Sequence, residues 1–239
     1  MDFLFDVLRW FADPVNWRGT GGIPNRVYEH LQLSGLAVLL AVLLAAPAGM
    51  MLGHVRRGGV VAVAVVNIGR AIPSFGILAL ALLFTLRVGL GLGFWPTFVA
   101  LFLLALPPVF TNSYTGVREV PGEVVESARG MGMREREILQ GIELPLALPV
   151  IAAAVRVAAV QVVATAPLGA LVAWGGLGRY IIDGLAQRDF VEVSAGAILV
   201  AALALLTDAG LGLGERLALP GGMRPVGRAP EVVQAAHPV

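Results

Sequence analysis

Cysteine is absent from all 239 residues, which excludes disulfides and thiolate metal sites within the chain. Lysine is absent as well, and all 17 basic residues are arginine. A Walker A phosphate loop needs its lysine, so this chain does not bind ATP by that route. Any energy from ATP would have to arrive through a partner. Charged residues make up only 14% of the sequence, where soluble domains carry about 25%. A net charge of +1 gives no nucleic-acid footprint. His30, His54 and His237 are too scattered for a metal site or a catalytic base and read as structural. No Ser/His/Asp set or carboxylate pair stands out, which argues against an intramembrane enzyme.

What is abundant is apolar sequence, 57% of the chain. Residues 31–53 contain no ionised side chain, and about 20 helical residues cross a hydrocarbon core of roughly 30 Å. This is a transmembrane helix, and the aspartates before it exclude a signal peptide. Further apolar stretches cover about 60–86 (interrupted by Arg70 and Pro73), 95–117 (with a kink at Pro107-Pro108), 145–174 and 193–214. The expectation is an all-α integral membrane protein with five transmembrane helices. Nine arginines fall on one side and six on the other. The positive-inside bias places the N-terminus outside and the C-terminus inside, with the polar loop 118–144 in the cytoplasm. Residues 1–30 then form an extracytoplasmic segment, in which Leu4, Leu8 and Phe11 share one helical face suited to lying on the membrane; a frayed, partly buried terminus is the alternative. Residues 218–239, rich in Pro, Gly and Arg, read as a mobile cytoplasmic tail.

The loop carries ten charged residues between Arg118 and Glu143. Pro121 can open a short helix, with Glu123 and Glu126 near its positive N-terminal end. Gly130 and Gly132 break it, a second short helix is expected over 134–140, and Pro145 starts the next span. The product is a compact knob on two membrane helices, suited to passing a partner's movement into the membrane.

The spacing Glu126-Ser127-Ala128, Gly132 and Ile142-Glu143-Leu144-Pro145 resembles the EAA loop of type I ABC importer permeases, with Ser127 where the family usually has alanine. The resemblance extends over about 29–219 and is narrower to the osmoprotectant branch, which moves glycine betaine, choline, carnitine or proline. The residues that carry it are Ala71-Ile72-Pro73-Ser74, Asn112-Ser113-Tyr114-Thr115-Gly116, the run from Ala128 to Met133, the run from Glu143 to Val150, and Gly175-Gly176-Leu177-Gly178. Permeases for methionine share the general loop. Pro167 departs from an expected threonine, and Trp174 from an expected small residue. The resemblance implies an ABC transmembrane type-1 domain over 31–217 in the bacterial cytoplasmic membrane. It implies that Glu126, Ser127, Ala128, Gly130, Gly132, Ile142, Leu144 and Pro145 couple to the ATPase. It also implies the partners: ABC ATPase subunits that bind the ATP and Mg, a second permease subunit (paralogue or identical copy) and an external substrate-binding protein. This subunit is itself non-catalytic.

Charges inside a membrane mark function or pairing. Arg156 and Asp208 fall at comparable depth and are expected to pair, while Arg70 fits a position near the cytoplasmic interface. Asn67, Ser74, Asn112, Tyr114, Gln161 and Thr165 are candidates to line a passage, with interhelical hydrogen bonding as the alternative.

Overall fold

The computed structural model describes residues 2–56, 58–69 and 72–218, and every regular element among them is helical. Helices are numbered α1 (Asp2–Ala12), α2 (Ile23–Val55), α3 (Gly59–Ile68), α4 (Ser74–Arg87) and α5 (Phe94–Arg118) in the first half. They continue with α6 (Gly122–Gly130), α7 (Glu135–Ile138), α8 (Leu144–Thr165), α9 (Gly178–Gln187) and α10 (Phe190–Ala218). Arg57, Arg70, Ala71 and the tail beyond 218 lie outside the described residues, so the expectations for them stay with the sequence.

Among the described residues, four helical stretches are long and apolar enough to cross a bilayer: Ile23–Val55, Phe94–Arg118, Glu135–Val172 and Phe190–Leu217. The expected span over 60–86 is two shorter helices instead, α3 and α4. Pro73, extended at φ −56° and ψ 138°, caps α4 without an N–H to continue a ladder. Neither helix reaches the roughly 20 residues of a span, but both pack on α5. Gly59, which opens α3, lies against the Tyr114 ring near the end of α5. Ile77, Leu78 and Ala81 of α4 pack with Ala100 and Val172 towards the other end.

The core sits between α2, α5 and α8. On α2, Leu33, Ala37, Ala41, Ala45, Gly49 and Gly53 recur every fourth residue and are all buried. That spacing puts one narrow stripe of small side chains along the helix. In a membrane, small residues let backbones approach and gain dispersion contacts. A Cβ added at Gly49 would come within 2.5 Å of the Phe110 carbonyl oxygen, and one at Gly53 within 2.7 Å of that of Tyr114. The end of α2 is therefore locked to the end of α5.

Two boundaries differ from those expected. The loop between the last two spans holds a helix, α9, closed by Arg188 at φ +59°. The last span begins at Phe190, where the Asp189 carboxylate accepts the N–H groups of Val191 and Glu192, both at 3.0 Å. Helix α1 packs on this end through Trp10, whose ring meets Tyr180 edge-on at 5.3 Å. Val7 faces inward at 3% exposure, leaving Phe3, Leu4, Phe5 and Leu8 open on the other side.

Candidate coupling site

Between α5 and α8 the chain folds into a knob with its own small core. Val120, Val125, Ala128 and Ile138 are buried together, with Met133 and Ile142 packed against them. Pro121 stands just before α6 as its N-cap, and its carbonyl accepts from Val124 at 3.1 Å. Helix α6 ends in a Schellman motif. The Met133 N–H donates to the Ala128 carbonyl at 3.2 Å, and the Gly132 N–H to that of Arg129 at 2.9 Å. The motif needs a left-handed residue at Gly132, which has φ +87°. Gly130, expected to break the helix beside it, is the last residue of α6 with ordinary helical geometry.

The second arm also departs from expectation. Instead of a separate helix over 134–140, α7 runs through a π-helical turn, Leu139–Glu143, straight into α8. In that turn the Leu144 N–H donates to the carbonyl of Leu139, five residues back. Pro145 has no N–H to offer, and widening the helix just before it accommodates the missing bond. The knob and the span that follows are thus one continuous rod.

This geometry divides the eight expected coupling residues. Glu126, Ser127, Gly130 and Gly132 are exposed on the outer face of the knob. Ala128 is fully buried, Ile142 and Leu144 are partly buried, and Pro145 lies in the first turn of α8. Met131, 76% exposed, and Val124, 41%, add apolar surface to the outer face. Arg129 holds the two arms together, donating to both Glu135 carboxylate oxygens at 2.7 and 2.9 Å. The Glu137 carboxylate accepts the Arg134 N–H at 2.8 Å and caps α7.

Sequence reasoning missed one residue here. His54, set aside as structural, reaches from the end of α2 into the knob. Its Nδ1 lies 2.5 Å from Glu143 Oε2, and its Nε2 lies 3.1 Å from Glu135 Oε2. Glu143 is 1% exposed and has this ring as its partner. A signal was available in hindsight, since a glutamate one residue from a membrane helix needs a counter-charge.

The candidate passage residues do not converge within one chain. Ser74 and Thr165 line the same cavity of about 10 Å³ beside Thr97, room for one water at most. Asn112 donates to the Pro108 carbonyl at 2.8 Å and lines an open groove with Pro149, Val157 and Glu215. Gln161 is exposed and Asn67 half-buried. Tyr114 is buried at 7% exposure, against Gly59, so it packs the protein rather than lining open space. Arg156 and Asp208 do come together, Nε to Oδ1 at 3.5 Å, and Glu215 stands 3.9 Å from Arg156 Nη1.

At the opposite end, the glycine cluster is a packing device. A Cβ at Gly175 would collide with the Glu29 carboxylate and one at Gly178 with Pro167. The Gly176 N–H donates to Glu29 at 2.7 Å, and Arg26 pairs with the same carboxylate at 2.9 Å. Trp174 packs edge-on against Phe94 at 5.2 Å. Burial pushes the Tyr180 phenol up to about 12, and its hydroxyl donates to the Gly21 carbonyl at 2.7 Å.

Apolar helices long enough to span a bilayer, with a protruding helical knob rooted in two of them, define a multi-pass membrane component built to be moved from outside the membrane. Comparison with known proteins makes the class specific. The chain belongs to the family of binding-protein-dependent transport system inner membrane components, whose model matches residues 33–216. It is therefore a bacterial membrane permease subunit of the ABC importer type. It is 38% identical over 204 residues to the choline transport system permease protein OpuBB of Bacillus subtilis, covering 85% of this chain and 92% of that one. It is 35% identical over 204 residues to the glycine betaine/carnitine/choline permease OpuCB of the same species, with the same coverage. A carnitine transport permease of Listeria monocytogenes, OpuCD, is 36% identical over 216 residues, 90% of this chain and 94% of that one. Among solved structures, an inward-facing MetNI methionine transporter matches with a TM-score of 0.70 at 24% identity, covering 80% of this chain and 93% of its own. At that identity the likeness speaks for the fold alone.

Proposed function

We propose that this chain is the permease subunit of an ATP-driven importer for quaternary-amine osmoprotectants of the choline, glycine betaine and carnitine kind. The observation that carries the reading is the 35–38% identity to permeases of those solutes, over 83–85% of this chain. Each protomer supplies half of the pathway, and a second permease subunit supplies the rest. In support, Arg156 and Asp208 are 36% and 53% exposed on α8 and α10, within helices long enough to span the membrane. Charges are costly against lipid, so this face belongs against a partner or a watery pathway. ATPase subunits carry the ATP and Mg and grip the exposed outer face of the knob around Glu126 and Gly132. Closing the ATPases draws the knobs together and turns the pathway outward, where an external binding protein delivers the solute. The topology that fits is five crossings, α3 and α4 together forming one, with the N-terminus outside and the knob inside. Helix α1 then rests its open Phe3, Leu4, Phe5 and Leu8 face in the outer leaflet.

A methylated ammonium donates no N–H bond and is normally recognised by aromatic cages. With 7% aromatic residues in this chain, selectivity resides chiefly in the binding protein. The test is the complete complex in proteoliposomes, with its binding protein and labelled choline, glycine betaine, carnitine and methionine. ATP-dependent uptake of the quaternary amines is expected. Uptake of methionine alone, or flux of any solute without the ATPase, contradicts the proposal.

A further inference from the structure

We infer that His54 is a positioning residue that bolts the first long helix to the knob, so that α2 moves with it as one body. The inference deepens the coupling reading above and rests on it. The expected mechanical links were the two helices that flank the knob in sequence, α5 and α8. Two side chains at the end of α2, Arg56 and His54, instead tie the knob to that helix, which is distant in the chain. Arg56 donates to the Val120 carbonyl at 3.0 Å, just before α6, and its own carbonyl accepts from Arg118, the last residue of α5, at 3.1 Å. His54 reaches the other arm, touching Glu135 on α7 and Glu143 in the π-helical turn through its two ring nitrogens.

The placement of that ring is what makes it a clamp: one nitrogen faces the Glu135 carboxylate on α7 and the other the Glu143 carboxylate in the π-helical turn, each within hydrogen-bonding distance. Glu135 is also the acceptor of Arg129, so the chain of contacts runs from α2 through His54 and Glu135 to Arg129 on α6. The ring itself is 10% exposed, and behind it Gly53 is pressed against the Tyr114 carbonyl, so α2 cannot slide along α5 without losing that fit. A displacement of the knob therefore reaches the buried Ala45, Ala41 and Ala37 stripe in the core.

The test uses the complete transporter and two readouts. Spin labels on cysteines at Leu43 and Met131, both exposed, measure the distance between α2 and the knob without any solute. No other thiol of this chain competes. One narrow distance is expected, unchanged between the nucleotide-free and ADP-vanadate-trapped states, and broadened by His54→Ala. A distance that changes on trapping in the wild-type background, or stays narrow in His54→Ala, overturns the inference. The second readout is choline taken up per ATP hydrolysed. His54→Cys/Glu135→Cys should lose about tenfold in this ratio, the scale of one charge-assisted hydrogen bond. A short bifunctional thiosulfonate across the two cysteines should restore it, and dithiothreitol should remove the gain. A cross-link that blocks transport shows that α2 and the knob must separate. Wild-type protein that takes up no quaternary amine sinks the solute reading instead, while the distance measurement still decides this one.

Discussion

At the scale of single residues, three positions carry distinct loads. Gly132 sits left-handed where the Schellman motif turns the chain back, and no neighbour lies within 4 Å of an added Cβ. Its constraint is conformational rather than steric, so a β-branched residue strains the backbone by about 1–3 kcal/mol. Gly132→Val should leave the spans folded but misplace the outer face of the knob, read as lost ATPase binding with normal helical circular dichroism. Arg156 is the second case. Asp208→Asn leaves the arginine with Glu215 alone, 3.9 Å away. Stranded charge in a span costs about 2.5–3.5 kcal/mol on insertion scales. The yield of inserted protein should fall, and adding Arg156→Gln should recover part of it; strictly additive losses speak against the pair. Tyr180 is the third. Its ordinary value is near 10 and its folded value is about 12, so the folded state favours the neutral phenol. That contribution to stability is complete below pH 10 and is lost as pH rises through about 12. The difference between ultraviolet titrations of wild type and Tyr180→Phe should show a component that ionises near pH 12; a lost component that ionises near pH 10 contradicts the burial of this ring.

At the scale of elements, the long helices were legible because hydropathy and length alone decide them. Residues 31–53, 95–117 and 193–214 fall within helical stretches found at those places, while 145–174 overruns its stretch by two residues, because the chain turns at Ala173 with φ +68°. The expected second span, found as two shorter helices, was only half legible. Arg70 and Pro73 marked the interruption, but whether a proline kinks a helix or ends it depends on what the freed backbone meets. The π-helical turn was not legible, because i→i+5 bonding leaves no pattern in side-chain chemistry. The knob motif showed in glycine, proline and charge spacing, whereas the His54 clamp did not. Its members are 81 and 89 positions apart in sequence and meet only after α2 and α5 pair. That pairing depends on the four-residue stripe of small residues on α2, visible in sequence yet indistinguishable there from ordinary apolar filler. Gly49→Leu or Gly53→Leu should therefore cost about 1–3 kcal/mol of overpacking or more, lowering thermal stability in detergent. Gly210→Leu, with nothing within 4 Å of its Cβ, should be far milder. Equal losses at all three positions contradict the close α2–α5 contact.

At the scale of the whole molecule, the cavities described among residues 2–56, 58–69 and 72–218 do not join into a passage. The chain's polar candidates point to separate places, its charged Arg156–Asp208 pair is part-exposed, and its knob is stiff and open on the outside. Each of these suits half of a pathway worked by a partner. The proposed topology is tested by labelling: with the N-terminus outside, cysteines at Asp13 and Gln187 should react with an impermeant thiol reagent outside intact cells, and one at Glu135 should not. Outside labelling at Glu135 inverts the orientation.

The central claim is that the knob converts a partner's ATP hydrolysis into solute movement. The measurement that tests it most directly is choline uptake and ATP hydrolysis, recorded together in proteoliposomes holding wild-type or Gly132→Pro permease with its ATPase and binding protein. The account predicts that Gly132→Pro inserts normally yet loses choline uptake, with hydrolysis either unassociated or no longer stimulated by the loaded binding protein. Wild-type uptake per ATP in a correctly inserted Gly132→Pro complex would contradict it.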